Sequence, residues 1–411
     1  MKRLLSIALL SLSLEVSAAV SIFQYVVPSG EIMPPAPGFL AESAVVPTIG
    51  SFTAATPSVT MALPGHPAPV NMALVRSESR GNGFTWVGRV YGYAMQSVVT
   101  VAEGHLLARL FTELGNYEIR TSSAGASLGT VDPTFRIVDE VVTPSSRLCC
   151  TSEANDAQKI VRAPDSGNDP SRTLVGYTSA ARVAAGGTAQ IQALAQYVID
   201  LNNQIYMNSQ VSEVRLQLAG TMEVNHADPS LSIQFLDEIR LDPNIADVRN
   251  ATYADIVVVL AEDLVDVAGI AYGNFSPGPA FESFAFALSE RAYAGLFVFA
   301  HEVGHLQGMG HYSLSAPAAY VWGHPHVAFV GPPFTQGFLT VMNSGTGECG
   351  GSPPCYLVPY LSNPTINIAD APFEGRSLGV VGTRENYRLA RDTLAIVNGF
   401  RDDRLHSDGF E

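Results

Sequence analysis

The run His301-Glu302-Val303-Gly304-His305-Leu306-Gln307-Gly308-Met309-Gly310-His311 fits the pattern H-E-x-x-H-x-x-G-x-x-H and carries most of the chemistry legible in this chain. On a helix, residues four apart share a face, so the imidazoles of His301 and His305 can reach one ion together. Glu302 is badly placed to be a third ligand, but it can hold and deprotonate a water on the same ion. Gly308 lets the backbone leave the helix through a conformation that a side chain penalises, which brings His311 round as the third ligand. Three neutral imidazoles suit Zn2+ and leave a fourth position for water. That set has the parts for peptide-bond hydrolysis, with the metal polarising the carbonyl and Glu302 moving the proton from water to the leaving amine.

An isolated histidine in an apolar stretch is usually an ordinary packed residue. Five specified positions in register are poorly explained that way. A second element follows about thirty residues later, where Val341-Met342-Asn343-Ser344-Gly345 places Met342 in a small, turn-prone setting that resembles the Met-turn metzincins carry beneath the metal, with plain core packing as the alternative. His324 and His326 lie between the two elements and are expected to be surface-loop residues rather than pocket walls, since the zinc already has its ligands.

The rest of the chain must deliver and support this segment. Met1-Lys2-Arg3, the apolar stretch Leu4 to Leu14 and Val16-Ser17-Ala18 read as a signal peptide, with cleavage after residue 18 and a secreted or periplasmic product. No later run reaches the ~18 uncharged apolar residues of a spanning helix, so no stable membrane insertion is expected. The net charge of −15 and pI near 5.0, with no long basic run, argue against nucleic acid as a partner. Four cysteines suit an oxidising compartment. Cys349 and Cys355 bracket a short Gly/Pro loop that a disulfide can close, with two buried thiols as the alternative. The adjacent Cys149 and Cys150 can form a vicinal disulfide, remain thiols, or supply a thiolate that blocks the zinc.

Residues up to about 75 read as an irregular leader rich in Pro, Ala, Ser and Val. Short β-rich runs from Phe84 to Arg120 then predict a small β domain, and the Pro-broken stretch from Thr143 to Arg172 predicts a connector. Beyond it strands and helices alternate. Leu174–Tyr177, Val214–Leu218 and Ile256–Leu260 read as strands; Thr188 to Tyr206 reads as an amphipathic helix, with Ile191, Leu194, Ala195, Val198 and Leu201 at helical spacing. A helix from about Ser230 to Arg240, a strand from Phe281 to Leu288, the motif helix from about Ala292 and a last helix from Thr383 to Phe400 complete the expectation.

With these residues in place the chain resembles a bacterial metzincin of the reprolysin-like kind, in particular the secreted peptidyl-Asp metalloendopeptidases, over about residues 172 to 402. The resemblance rests on the zinc motif, Tyr177-Thr178-Ser179-Ala180-Ala181-Arg182, Gly269-Ile270-Ala271-Tyr272 and Pro359-Tyr360-Leu361-Ser362-Asn363-Pro364; the Trp86-Val87-Gly88 region resembles the family's propeptide. It implies an α+β metzincin fold with an α/β-like upper layer: a mixed twisted sheet, an active-site helix and an irregular lower subdomain, preceded by a small β-rich propeptide domain. The implied divisions are a signal peptide (1–18), leader and propeptide (19–150), connector (151–171), catalytic domain (172–402) and polar tail (403–411). It further implies a zymogen, taken to be monomeric, and a protein or peptide substrate lying extended along an edge strand at Phe281 to Leu288.

Departures accompany the likeness. Tyr312 follows the third histidine where reprolysin relatives commonly have Asp, and Ser344 stands where other metzincins carry a tyrosine ligand. Arg384 and Arg388 can supply the base of a pocket that favours an acidic residue after the cut, or can form surface ion pairs. The expected activity is therefore a secreted zinc endopeptidase with Glu302 as base. Its alternatives are a catalytically silent binding or adhesion module of the same fold and a narrow-target toxin-like or maturation peptidase.

Overall fold

The computed structural model describes residues 20–26, 35–144, 169–228, 231–331, 336–344 and 355–401. Nine antiparallel strands build the N-terminal half: β1 (Phe23–Tyr25), β2 (Phe39–Pro47), β3 (Ser58–Met61), β4 (Val70–Arg80), β5 (Gly83–Val90), β6 (Ser97–Ala102), β7 (His105–Thr112), β8 (Gly115–Ser122) and β9 (Gly125–Val131). Their spatial order is β1-β2-β9-β8-β7-β6-β5-β4-β3. The two-residue turn Glu103-Gly104 joins β6 to β7 with positive φ at both residues, the geometry that matches strand twist in a tight hairpin. Four of these strands lie where an irregular leader was expected. Each of β1 to β4 pairs with a neighbour, so ladder hydrogen bonding and side-chain packing override a composition poor in strong strand signals.

This sheet is covered on both faces. Alternation sends Trp86, Val99, Leu106, Ala108 and Leu110 into one apolar cluster, with Ile22 and Phe52. It sends Val87, Val98, Leu107 and Phe111 the other way, into a core continuous with the C-terminal half.

The second sheet has the order β10-β14-β15-β13-β11-β12. Its strands are β10 (Asp139–Val142), β11 (Ser171–Tyr177), β12 (Leu216–Glu223), β13 (Ile256–Ala261), β14 (Gly269–Tyr272) and β15 (Phe286–Glu290). Strand β13, Ile-Val-Val-Val-Leu-Ala, is buried throughout and runs parallel to both neighbours, as an unbroken aliphatic strand in a covered sheet should. Strand β14 is antiparallel to β15 and parallel to β10. The expected edge strand at Phe281 to Leu288 is corrected: residues Pro279–Phe284 form a 3-10 turn, and β15 lies inside the sheet between β13 and β14. A short apolar run cannot by itself tell an edge strand from an interior one.

Among the described residues six α-helices pack around these strands: α1 (Ser179–Ala185), α2 (Thr188–Asn208), α3 (Ser232–Leu241), α4 (Pro243–Ala251), α5 (Val298–Leu306) and α6 (Asn386–Val397). Thr178 caps α1 by accepting from the Ala181 N–H, and Gly186 ends it in the left-handed conformation. Helix α2 is sequestered between the two sheets. Its apolar face meets the core, while the opposite stripe Gln196, Asp200 and Gln204 meets the N-terminal sheet. Both Arg80 terminal nitrogens donate to Asp200 at 3.0 and 3.1 Å, and the Thr85 and Thr100 hydroxyls donate to it at 2.6 and 2.7 Å. Gln196 Nε2 donates as well, at 2.9 Å, and a buried carboxylate that collects five donors is satisfied.

The motif helix starts later than expected. Arg291–Leu296 is a 3-10 turn, and Phe297, at φ 76, breaks the chain before α5 begins at Val298. Beyond α5, β16 (Val327–Val330), β17 (Gln336–Leu339) and β18 (Cys355–Leu357) form a small sheet, and β19 (Asn363–Asn367) pairs with β20 (Ser377–Leu378). The last helix is shorter at both ends than expected. Glu385 N–H donates to the Trp322 carbonyl instead of entering a helical turn.

Candidate active site

His301 and His305 lie one turn apart on α5 with ring centroids 4.7 Å apart. His301 Nδ1 lies 2.9 Å from the Val341 carbonyl and His305 Nδ1 2.8 Å from the Met309 carbonyl. A carbonyl only accepts, so each Nδ1 carries the proton and each Nε2 turns a lone pair inward. Gly308, at φ 96, turns the chain out of the helix; a Cβ there would meet Asn274 O and Ala319 Cβ at 2.7 Å. The turn returns His311 to the site, its Nε2 3.1 Å from that of His305 and 3.4 Å from that of His301. Burial pulls the His305 pKa down to about 4, which favours the neutral ring a metal needs.

Glu302 points to the same place. It is fully buried and neither carboxylate oxygen has a hydrogen-bond partner. Burial first, then the negative charge of Asp139, raise its pKa well above the usual carboxylate range. Met342 is buried beneath α5, against Gly304, where an added Cβ would collide with its Sδ. The carbonyl one residue earlier, at Val341, is the one that orients His301.

Sequence reasoning missed Asp139. This residue of β10 has a fully buried side chain, with Oδ2 2.8 Å from His311 Nε2, 3.1 Å from His301 Nε2 and 3.2 Å from His305 Nε2. One ligand atom from each of the four residues lies within 4.8 Å of all the others. Three imidazole lone pairs and a carboxylate oxygen, with Asp139 Oδ1 and both Glu302 oxygens buried without partners, make a donor set that fits a cation. The usable signal in the sequence is slight: a lone Asp in the β-rich run Ile137-Val138-Asp139-Glu140-Val141-Val142, just ahead of the polar connector.

The remaining candidates separate. His324 is buried, not on the surface, and its Nδ1 donates to the His311 carbonyl at 2.8 Å, so it steadies the loop of the third histidine. His326 is also drawn inward, with a buried, unpartnered Nδ1 and a pKa lowered to about 4 by burial and then by Arg384. Arg384 Nη1 donates to the Tyr312 and Pro325 carbonyls at 2.8 and 2.6 Å, with the guanidinium 4.0 Å from the Tyr312 ring centroid. Arg388 instead stacks on Trp322 and pairs with Glu385 and Asp392, with its side chain half exposed. Cys355 is buried in β18; Cys349, Cys149 and Cys150 lie outside the described residues, as do the signal peptide and the polar tail. Among the described residues no helix is long and apolar enough to cross a membrane.

Residues 188–312 match the metallo-peptidase family M12B, reprolysin-like, a span that contains α2, the sheet strands from β12 to β15 and the whole histidine motif. This stretch is therefore similar to reprolysin-like metallopeptidases. The chain is similar to a peptidyl-Asp metalloendopeptidase of Stenotrophomonas maltophilia, 31% identical over 60% of this chain and 56% of that protein. It is also similar to one of Xanthomonas campestris, 29% identical over 75% of this chain and 70% of that protein. The chain therefore spans little more than half the length of the Stenotrophomonas relative. Metalloproteinase-II from Bacteroides fragilis aligns over 62% of this chain and 81% of its own at 10% identity and a TM-score of 0.39.

Proposed function

We propose that this chain is a secreted zinc-dependent endopeptidase with His301, His305 and His311 as metal ligands and Glu302 as general base. The observation that carries the reading is the convergence of three inward-facing Nε2 atoms beside a buried carboxylate with no structural partner. A zinc ion held there supplies the electrophile for the scissile carbonyl and acidifies water towards a pKa of ~7. Glu302 accepts the proton of the attacking water as its oxygen bonds to the carbonyl carbon. As the C–N bond breaks, Glu302 returns that proton to the leaving amine, so it ends the turnover as it began. Val341 and Met309 carbonyls hold the ligand rings in one tautomer, and Met342 supports the underside of the helix.

The substrate class is protein or peptide. The relatives' names, together with Arg384 beside the His311 loop, support a preference for an acidic residue after the cut. The test is metal analysis and kinetics on the purified mature protein. About one zinc per chain is expected, and Glu302→Gln should keep the metal while kcat falls roughly 10²- to 10⁴-fold. Absence of zinc would overturn the site, and wild-type turnover by Glu302→Gln would overturn the role of the base.

A further inference from the structure

The donor set at the active site is complete without a water. Zinc with three histidines is catalytic only while its fourth position stays open, and four protein ligands make a closed, structural type of site. Here the fourth donor comes from the N-terminal side of the chain, 162 residues before the first histidine by subtraction of 139 from 301. We propose that Asp139 is a removable fourth ligand that keeps the full-length chain latent: its carboxylate takes the position a reacting water needs, and β10 fills the edge of β14 where an extended peptide would lie. This rests on the zinc-peptidase reading and assigns to an aspartate the blocking role that a cysteine thiolate was expected to take.

The strand carrying Asp139 is held in register from end to end. Asp139 pairs with Gly269, Glu140 with Ile270, Val141 with Ala271 and Val142 with Tyr272. Ala268 N–H donates to the Val138 carbonyl at 2.6 Å and Gly273 N–H to that of Val142 at 2.8 Å, so the β14 edge has its ladder satisfied along the whole strand. Ile137 and Val142 anchor the two ends in the central core, and Phe135 stacks on Tyr293 at 5.4 Å. Asp139 therefore stands at the centre of a built contact.

The same strand is removable. β10 is the terminal strand of its sheet, bonded to β14 alone, so its departure breaks one ladder and leaves β11 to β15 paired as they are. Its departure also frees the two things a peptidase lacks here, an open ligand position and an open sheet edge for strand addition. A carboxylate tethered on the same chain competes at high effective concentration while β10 is docked, and becomes a dilute ligand once it leaves. Glu302 supports the interpretation of a blocked catalytic site over a structural one, because a permanently closed site has no use for a second buried carboxylate without a partner.

The test uses the full-length chain with Co2+ in place of zinc, so that the site is seen by visible absorption without any requirement for activity. Acetohydroxamate, a small chelating probe, is titrated into wild type, Asp139→Ala, Asp139→Asn and, as a same-strand control, the exposed Glu140→Ala. Asp139→Ala and Asp139→Asn should bind the probe roughly 10²-fold more tightly than wild type and Glu140→Ala. Asp139→Asn preserves side-chain volume and keeps the test valid if the alanine variant fails to fold. Equal probe binding by wild type and both Asp139 variants would overturn the ligand role. Probe binding without peptide cleavage in Asp139→Ala supports the carboxylate ligand together with a β10 that still fills the edge. A wild-type chain that takes up no Co2+ or zinc would overturn the zinc-peptidase reading itself, which is a different failure.

Discussion

Gly269 stands directly against Glu302: a Cβ added at Gly269 would lie 2.7 Å from Glu302 Cδ and would overlap Oε1. Val298 Cγ1 closes the same space at 2.7 Å. The backbone of Gly269 does not need a left-handed conformation, so what this position requires is room for the carboxylate. Gly269→Ala should therefore displace the base while leaving the three histidines in place. The expected outcome is full zinc content with kcat/KM reduced about 10²-fold, the scale of a misplacement near 1 Å. Normal kcat/KM in a well-folded Gly269→Ala protein would show that Glu302 has slack the packing does not reveal.

Asp200 is the polar pin that fastens α2 to the N-terminal sheet. Removing it as Asp200→Ala leaves Arg80, Thr85 and Thr100 facing a buried gap, and breaking a buried pair of this kind costs about 3–5 kcal/mol. Urea unfolding should register that loss. Arg182→Ala breaks the more exposed pair with Glu223 and should change stability by less than about 1 kcal/mol. Similar, small effects from both variants would mean that water replaces the Asp200 contacts.

The contrast between these two sites explains what could be read in advance. The three histidines and Glu302 fall within eleven residues; helical periodicity brings His301 and His305 together and the turn at Gly308 returns His311, so their association is a local property of the chain. Asp139 reaches them only through the parallel pairing of β10 with β14, a long-range choice that no local pattern announces. Helix α2 was legible as an amphipathic helix, yet the partners of its polar face were not. Its Gln196, Asp200 and Gln204 stripe is what a solvated face looks like, and only the docking of a second sheet makes it an interior network. His324 was expected at the surface because the zinc already had its ligands, and a buried role as donor to the His311 carbonyl depends on a contact that no local pattern announces. Buried, uniformly aliphatic β13 was legible because its sequence leaves little choice.

Glu290 gives the fold a pH dependence away from the metal site. Burial, opposed by the Leu264 N–H and reinforced by Asp263, Glu262 and Asp228, raises its pKa to about 7 from 4.5. The folded state then holds this proton more tightly than the unfolded chain, so the contribution to stability is complete below pH about 4.5 and is lost as pH rises through about 7. Glu290→Gln stays neutral and its amide oxygen can still accept from Leu264. Its melting temperature relative to wild type should rise between pH 5 and pH 8, by roughly a few degrees for a change near 1 kcal/mol. A difference independent of pH would remove Glu290 as the titrating group.

Arg384 and Arg388 make opposite predictions for specificity. Arg388 stacks on Trp322 and pairs with two carboxylates in partial solvent, so Arg388→Ala should leave the cleavage pattern unchanged. Arg384 bridges the Tyr312 and Pro325 carbonyls, one on each side of the loop between His311 and His326. On the proposed preference for an acidic residue after the cut, losing this fixed positive charge should raise KM for acidic primed-side peptides more than for neutral ones. Arg384→Lys keeps the charge but cannot reproduce the planar fork, so it should restore part of the preference and less of the loop order. The measurement is peptide-library cleavage by the activated enzyme and its variants. Unchanged preference for acidic residues in Arg384→Ala, at unchanged zinc content, would place the specificity determinant elsewhere in the cleft.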